Sequence, residues 1–150
     1  MQKHIEKSIN VQVPVSTAYN QWTQFEEFPL FMEGVKEVQQ LDDERVHWVA
    51  EIGGKQREWD AQITEQVPDR RIAWQSLDGA RNAGVVEFRP VGENETEVRV
   101  RMEYEPEGMA ENLGAFFQAA DMRVKGDLER FKEFIESRGG ETGEWRGEVH

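Results

Sequence analysis

Residues 109–138 read MAENLGAFFQAADMRVKGDLERFKEFIESR. Leu113, Phe116, Phe117, Ala120, Val124, Leu128, Phe131 and Ile135 recur at steps of three and four, so they share one face of a helix. Asp121, Lys125, Glu129, Lys132, Glu133 and Glu136 fall beside or behind that stripe. Proline is absent from the run, and Gly126 near its middle costs only about 1 kcal/mol against alanine. Gly139-Gly140 closes it as helix C-termini favour. Burial of a large apolar side chain is worth roughly 1.5–3 kcal/mol, so a face carrying several phenylalanines requires a broad partner surface.

The preceding residues supply one. From Val35 to Tyr104 the pattern has period two. Strands are predicted over 35–41, 45–52, 56–67, 70–77, 83–90 and 96–104, punctuated by Asp42-Asp43, Gly53-Gly54, Pro68-Asp69, Asp78-Gly79 and the loop Gly92–Glu95. Val46, Trp48, Ala50 and Ile52 oppose His47 and Glu51; Arg57, Trp59, Ala61 and Ile63 oppose Glu58, Asp60, Gln62 and Thr64. Val98, Val100, Met102 and Tyr104 oppose Glu97, Arg99, Arg101 and Glu103. Another half-buried strand runs from His4 to Val13, stopped by Pro14, and short helices are expected from Val15 or Ser16 to Gln24 and from Glu26 to Met32. Short links between successive strands make an antiparallel sheet, and the alternation gives it one dry side. Seven twisted strands with a single long helix to cover them should curl around it, with the short helices plugging the remaining end.

Composition narrows the function classes. The 150 residues carry 18 basic and 30 acidic side chains, a net charge of −12. Such a field repels a phosphate backbone, and nucleic acid is not an expected partner. There is no cysteine, hence no disulfide, thiolate metal site or cysteine nucleophile. No stretch of 18 apolar residues suggests a membrane span, and the first residues lack the apolar core of a signal peptide. A cytoplasmic monomer or weak dimer is the expectation. His4, His47 and His150 form no metal-ligand spacing, no glycine-rich phosphate loop leads from strand to helix, and no cofactor is expected. Residues 1–138 are read as one domain and the Gly-rich, acidic residues 139–150, with a lone Trp145, as a flexible tail.

The order of elements resembles the helix-grip fold of the START-like (SRPBCC) superfamily, an α+β architecture shared with the birch-pollen allergen. The closest likeness is to the polyketide cyclase/dehydrase and coenzyme Q-binding START-domain family. It is carried by Ile9–Val15, by Phe25–Val35 and by Trp48–Gly54. Arg57-Glu58-Trp59, Arg71–Trp74 and Gly84–Phe88 continue it, and the likeness spans about residues 3–138. It implies a cavity between the curled sheet and the long helix that holds an apolar small molecule, with entry by movement of the short helices or hairpin tips.

On the alternation above, Trp48, Trp59, Trp74, Phe88, Met102 and Tyr104 face that cavity. Phe116, Phe117 and Ala120 join them from the helix, with Phe28, Phe31 and Met32 near its mouth. The same rings could equally be core filler, since aromatic side chains commonly are. Binding or transport of a lipid, quinone or polyketide-like molecule is the leading expectation. The resemblance also admits a cyclase or dehydratase, which needs a proton donor or acceptor inside the cavity. Tyr104 and Arg57 are the catalytic candidates, and such an enzyme would bring them together with Asp121. A protein-interaction module is the third possibility and would expose a sizeable apolar patch.

Overall fold

The computed structural model describes residues 3–32, 34–52, 55–77, 81–105, 113–138, 140–143 and 146–147; the side chains of 3–4, 52, 55, 81, 104–105 and 113–120 lie outside that description. The chain order is β1 (Lys3–Val11), α1 (Val15–Trp22), a 3-10 helix (Phe25–Leu30) and β2 (Val35–Gln40). Strands β3 (Arg45–Ile52), β4 (Lys55–Val67), β5 (Arg71–Ser76), β6 (Arg81–Gly92) and β7 (Glu95–Glu105) follow, then α2 (Leu113–Arg138). The seven strands form one antiparallel sheet in the order β1-β7-β6-β5-β4-β3-β2. This is the helix-grip architecture: a curled sheet around a long C-terminal helix, with the two short helices between β1 and β2. The turns expected at Gly53-Gly54 and Asp78-Gly79, and helix residues 109–112, lie outside the described residues.

Alternation sets the two sides of the sheet. Val46, Ala50, Trp59, Ala61, Ile63, Ile72, Val86, Phe88, Val98 and Val100 are all buried on the inner side. From α2 the buried stripe is Val124, Leu128, Phe131 and Ile135. Trp22, the last residue of α1, sits between sheet and helix. Its ring lies 4.9 Å from Phe131 of α2, 6.2 Å from Phe88 of β6, and 5.7 and 6.1 Å from Phe28 and Phe31 of the cap. The far end of α2 is tied to β1 by Glu136, which accepts from the backbone N–H of Gln12 (2.7 Å) and from Lys132 (2.6 Å). Burial pushes the Glu136 carboxyl upward, but those two donors outweigh it and hold it below its ordinary value.

One departure from strict alternation changes a side chain's fate. The register between β4 and β5 shifts between Ile63 and Glu65. A bulge of this kind reverses which side the following residues face. Gln66 is thereby turned into the core beside Ile72, 1% exposed, with neither amide atom meeting a hydrogen-bond partner among the described residues.

After Gly139, the tail residues Glu141, Thr142 and Arg146 contact α1 and the 3-10 helix. Asn20 donates to Glu141 (2.8 Å), the Thr142 N–H to the Gln21 side chain (2.8 Å), and the Thr142 hydroxyl to Glu27. Arg146 donates to Asn20, pairs with Asp69 at 2.8 Å and covers the Tyr19 ring. The cause is on α1. Asn20 and Gln21 are buried polar side chains, and buried polar groups require partners.

On the wet side, His47 Nδ1 lies 2.6 Å from Asp60 Oδ1 and Nε2 lies 3.2 Å from Glu58 Oε1. The hydrogen bond to Asp60 lifts its pKa above 6.5, with Glu58 adding to the rise and a smaller desolvation effect opposing it. A raised folded-state pKa contributes stability that is complete below the unfolded value near 6.5 and is lost as pH rises through the folded value. We expect wild type to exceed H47Q in urea stability by more at pH 6 than at pH 8.5; an equal difference at both would refute the assignment. A second expectation concerns the aromatic hub. Phe131→Ala should cost about 3–5 kcal/mol in denaturant unfolding, as for other buried phenylalanines, and a loss below about 1 kcal/mol would show that the site collapses freely.

Candidate ligand cavity

Between the sheet and α2 lies a largely apolar cavity of about 130 Å³. Its sheet wall carries Val46, Trp48, Ala50, Trp59, Ala61, Ile63, Ile72, Trp74, Val100 and Met102. Val124 and Leu128 face them from α2, and Trp22, Phe25, Phe28 and Met32 close the end. Trp48 and Trp59 are cross-strand partners whose rings stack, 5.9 Å apart and 5° from parallel. Phe28 reaches across from the cap to within 5.5 Å of the Trp48 ring. Trp59 Nε1 is buried and meets no hydrogen-bond partner among the described residues.

The polar members of the wall are Glu51, Asn82, Arg123 and Asp127. Arg123 donates to the backbone carbonyl of Glu51 at 2.9 Å, and Asp127 pairs with Arg130 at 2.6 Å. Arg130 also donates to the carbonyl of Phe31 (3.1 Å). Arg123 and Arg130 therefore bind two backbone carbonyls that flank the cap, one on β3 and one just after the 3-10 helix. Gly34 makes the first contact possible. Its φ is +89°, and a Cβ there would lie 1.5 Å from Arg123 Nη1. The Glu51 carboxylate is paired with Lys36 at 3.7 Å.

Of the residues expected at a ligand, Phe28, Trp48, Trp59, Trp74 and Met102 line this cavity. Phe31 and Phe88 do not, which corrects the expectation for both. They are core residues: Phe31 packs on Phe131 and Phe134, and Phe88 on Tyr19 and Trp22. Inward alternation gives a side, but the cap fills that end of the sheet. The side chains of Tyr104, Phe116, Phe117 and Ala120 lie outside the described residues. Arg57 is half-buried on the inner side of β4 and is not part of the cavity wall. Asp121 pairs with Lys7 of β1 at 3.2 Å. Arg57 and Asp121 thus do not meet at the cavity. Sequence reasoning did not single out Asn82, Arg123 or Asp127. The signal for the helix pair was their spacing of four, which stacks them on one face one turn apart.

The chain matches the family described as polyketide cyclase/dehydrase and lipid transport over residues 11–135. It is 51% identical over 146 residues to an uncharacterized 17.2 kDa protein of the melC2-rnhH intergenic region of Streptomyces lincolnensis, covering 97% of each chain. It is also similar to a solved structure from Deinococcus radiodurans, with 30% identity, a TM-score of 0.72, and coverage of 91% of this chain and 99% of that one. A START superfamily protein from Mycobacterium smegmatis superposes with a TM-score of 0.81 over 90% of this chain and 98% of that one, at 14% identity. Among the described residues no helix is long and apolar enough to cross a membrane.

The contact at Gly34 makes a coupled prediction. Gly34→Ala places a side chain in left-handed backbone, worth about 1–3 kcal/mol of strain, and displaces Arg123 as well. In an Arg123→Ala background the clash with the guanidinium is gone, so the cost of Gly34→Ala should shrink; strictly additive losses in urea unfolding would contradict the contact.

Proposed function

Because the chain belongs to the polyketide cyclase/dehydrase and lipid transport family of the START-like (SRPBCC) superfamily, we propose that it binds a compact, flat, apolar molecule in the cavity between sheet and α2. The observation that carries this reading is the stacked Trp48–Trp59 pair on the wall of an apolar cavity. Stacked indoles present a flat face, and offset ring stacking adds about 0.5–1.5 kcal/mol to the gain from buried area. The volume of about 130 Å³ supports a ring or a small fused system. An apolar cavity of about 150 Å³ accommodates benzene, whereas drug-sized ligands occupy roughly 300–1,000 Å³. Long acyl chains and extended polyketides fit only if the cap moves.

The Trp59 N–H, which meets no hydrogen-bond partner among the described residues, supports a ligand carrying an oxygen acceptor, such as a quinone or an aromatic ketone, since an unsatisfied buried donor costs about 1–3 kcal/mol. The polar groups of the helix wall support binding over chemistry. Arg123 holds a backbone carbonyl and Asp127 holds Arg130, so each already has a structural task. Menadione and 1-naphthol should each quench tryptophan emission with saturable, single-site behaviour, while oleate at the same concentration should not displace them. Trp48→Ala should weaken binding about two- to tenfold, the loss of one ring contact. Unchanged emission with all three compounds would overturn the reading.

A further inference from the structure

Across the inner side of the sheet runs one row of cross-strand partners: Ile5, Met102, Gly84, Trp74 and Ile63. Trp74 and Gly84 are direct neighbours on β5 and β6. A Cβ on Gly84 would lie 2.5 Å from Cζ2 of Trp74 and 2.9 Å from both Cε2 and Cη2. The six-membered half of the indole therefore occupies the space a side chain at position 84 would need. The backbone does not require glycine there, because among the described glycines only Gly34 has a positive φ. Space is what Gly84 provides. Trp74 is half-buried and forms part of the cavity wall.

We propose that Gly84 sets the size of ligand the cavity accepts, by letting the Trp74 ring sink against the sheet. Gly84 is a positioning residue acting through Trp74, and the inference rests on the ligand-binding reading above. A methyl group at position 84 would push the ring by about 1 Å before ordinary carbon–carbon separations of about 3.5–4.0 Å returned. The sheet blocks movement backward, so the ring moves toward the helix and takes up cavity volume. In a space of about 130 Å³ that displacement discriminates by size. Phenol still fits and 1-naphthol does not.

The test uses phenol, 5-indanol and 1-naphthol, which hold the hydroxyl constant while adding carbon. Affinities are measured by calorimetry for wild type, G84A, W74V and the double variant, each first shown to be folded by circular dichroism. In G84A the ratio of 1-naphthol to phenol affinity should fall at least tenfold. In W74V it should rise, since the wall recedes. In the W74V background, adding G84A should change the ratio less than twofold, because an alanine opposite a valine meets no ring. A general loss of packing would instead lower all three affinities together. Wild-type binding with an unchanged ratio in G84A, or an equal effect of G84A with and without Trp74, overturns the size-setting role alone. No heat from wild type with any of the three overturns the ligand reading, and the size selection with it.

Discussion

Trp22 meets four other rings, and those rings come from every element that closes this structure: Phe28 and Phe31 from the cap, Phe88 from β6 and Phe131 from α2. At this end a single indole bridges the gap between the helix and the sheet. Edge-to-face contacts at 4.9–6.2 Å fix mutual orientation as well as distance. Phe31 then packs on Phe131 and Phe134, which locks the cap onto the same stretch of helix. One end of the grip is solid for this reason. The cavity begins where the cluster stops, with Trp22, Phe25 and Phe28 serving both as core and as end wall.

The polar side chains of α2 complete the closure by a different means. A cap made of a 3-10 helix has backbone carbonyls with no regular partner, and buried carbonyls are costly to leave unpaired. Arg130 takes the carbonyl of Phe31 and Arg123 that of Glu51. Asp127 steadies Arg130 from one turn of helix away. Two arginines and a carboxylate therefore appear on the rim of an apolar space as fasteners. On the outer side of the same cap, Glu141, Thr142 and Arg146 satisfy Asn20, Gln21 and Glu27. α1 and the 3-10 helix are held from within by rings and from without by hydrogen bonds. Any ligand too large for the present cavity must loosen one of these layers.

Much of this was legible in the chain because periodicity is a local property. The alternation of β3 and β7 and the three-four spacing of α2 appear in the structure within a few residues of where they were read. Which inward side chain meets empty space is not a local property. Phe88 faces inward as the pattern says, yet Tyr19 and Trp22 of α1 cover it, and nothing near it in the chain encodes that. Gln66 shows the same limit at one residue's scale: the bulge after Ile63 reverses its side, and no glycine or proline marks the spot. For the tail, composition speaks only of glycine and acidic residues; the contacts of Glu141, Thr142 and Arg146 depend on the buried positions of Asn20 and Gln21 on α1, which tertiary packing sets.

How so aromatic an interior retains a cavity at all follows from where flat rings can rest. A tryptophan on a concave sheet projects into the space beneath the helix unless a neighbour takes its face or makes room for it. Trp48 and Trp59 solve this by stacking on each other, which turns two projecting rings into one thick wall. Trp74 has no ring partner of that kind in its row; its neighbour is a glycine, and the ring lies in the place of the missing side chain. Met102 and Ile5 continue the row with slimmer side chains. The inner side of the sheet is thus bulky where rings pair and recessed where Gly84 admits one. A core packed to ordinary density would have no such recess. Its persistence opposite Val124 and Leu128, rather than opposite the ring-filled end at Phe131, is what makes the middle of α2 a cavity wall and its end packed core.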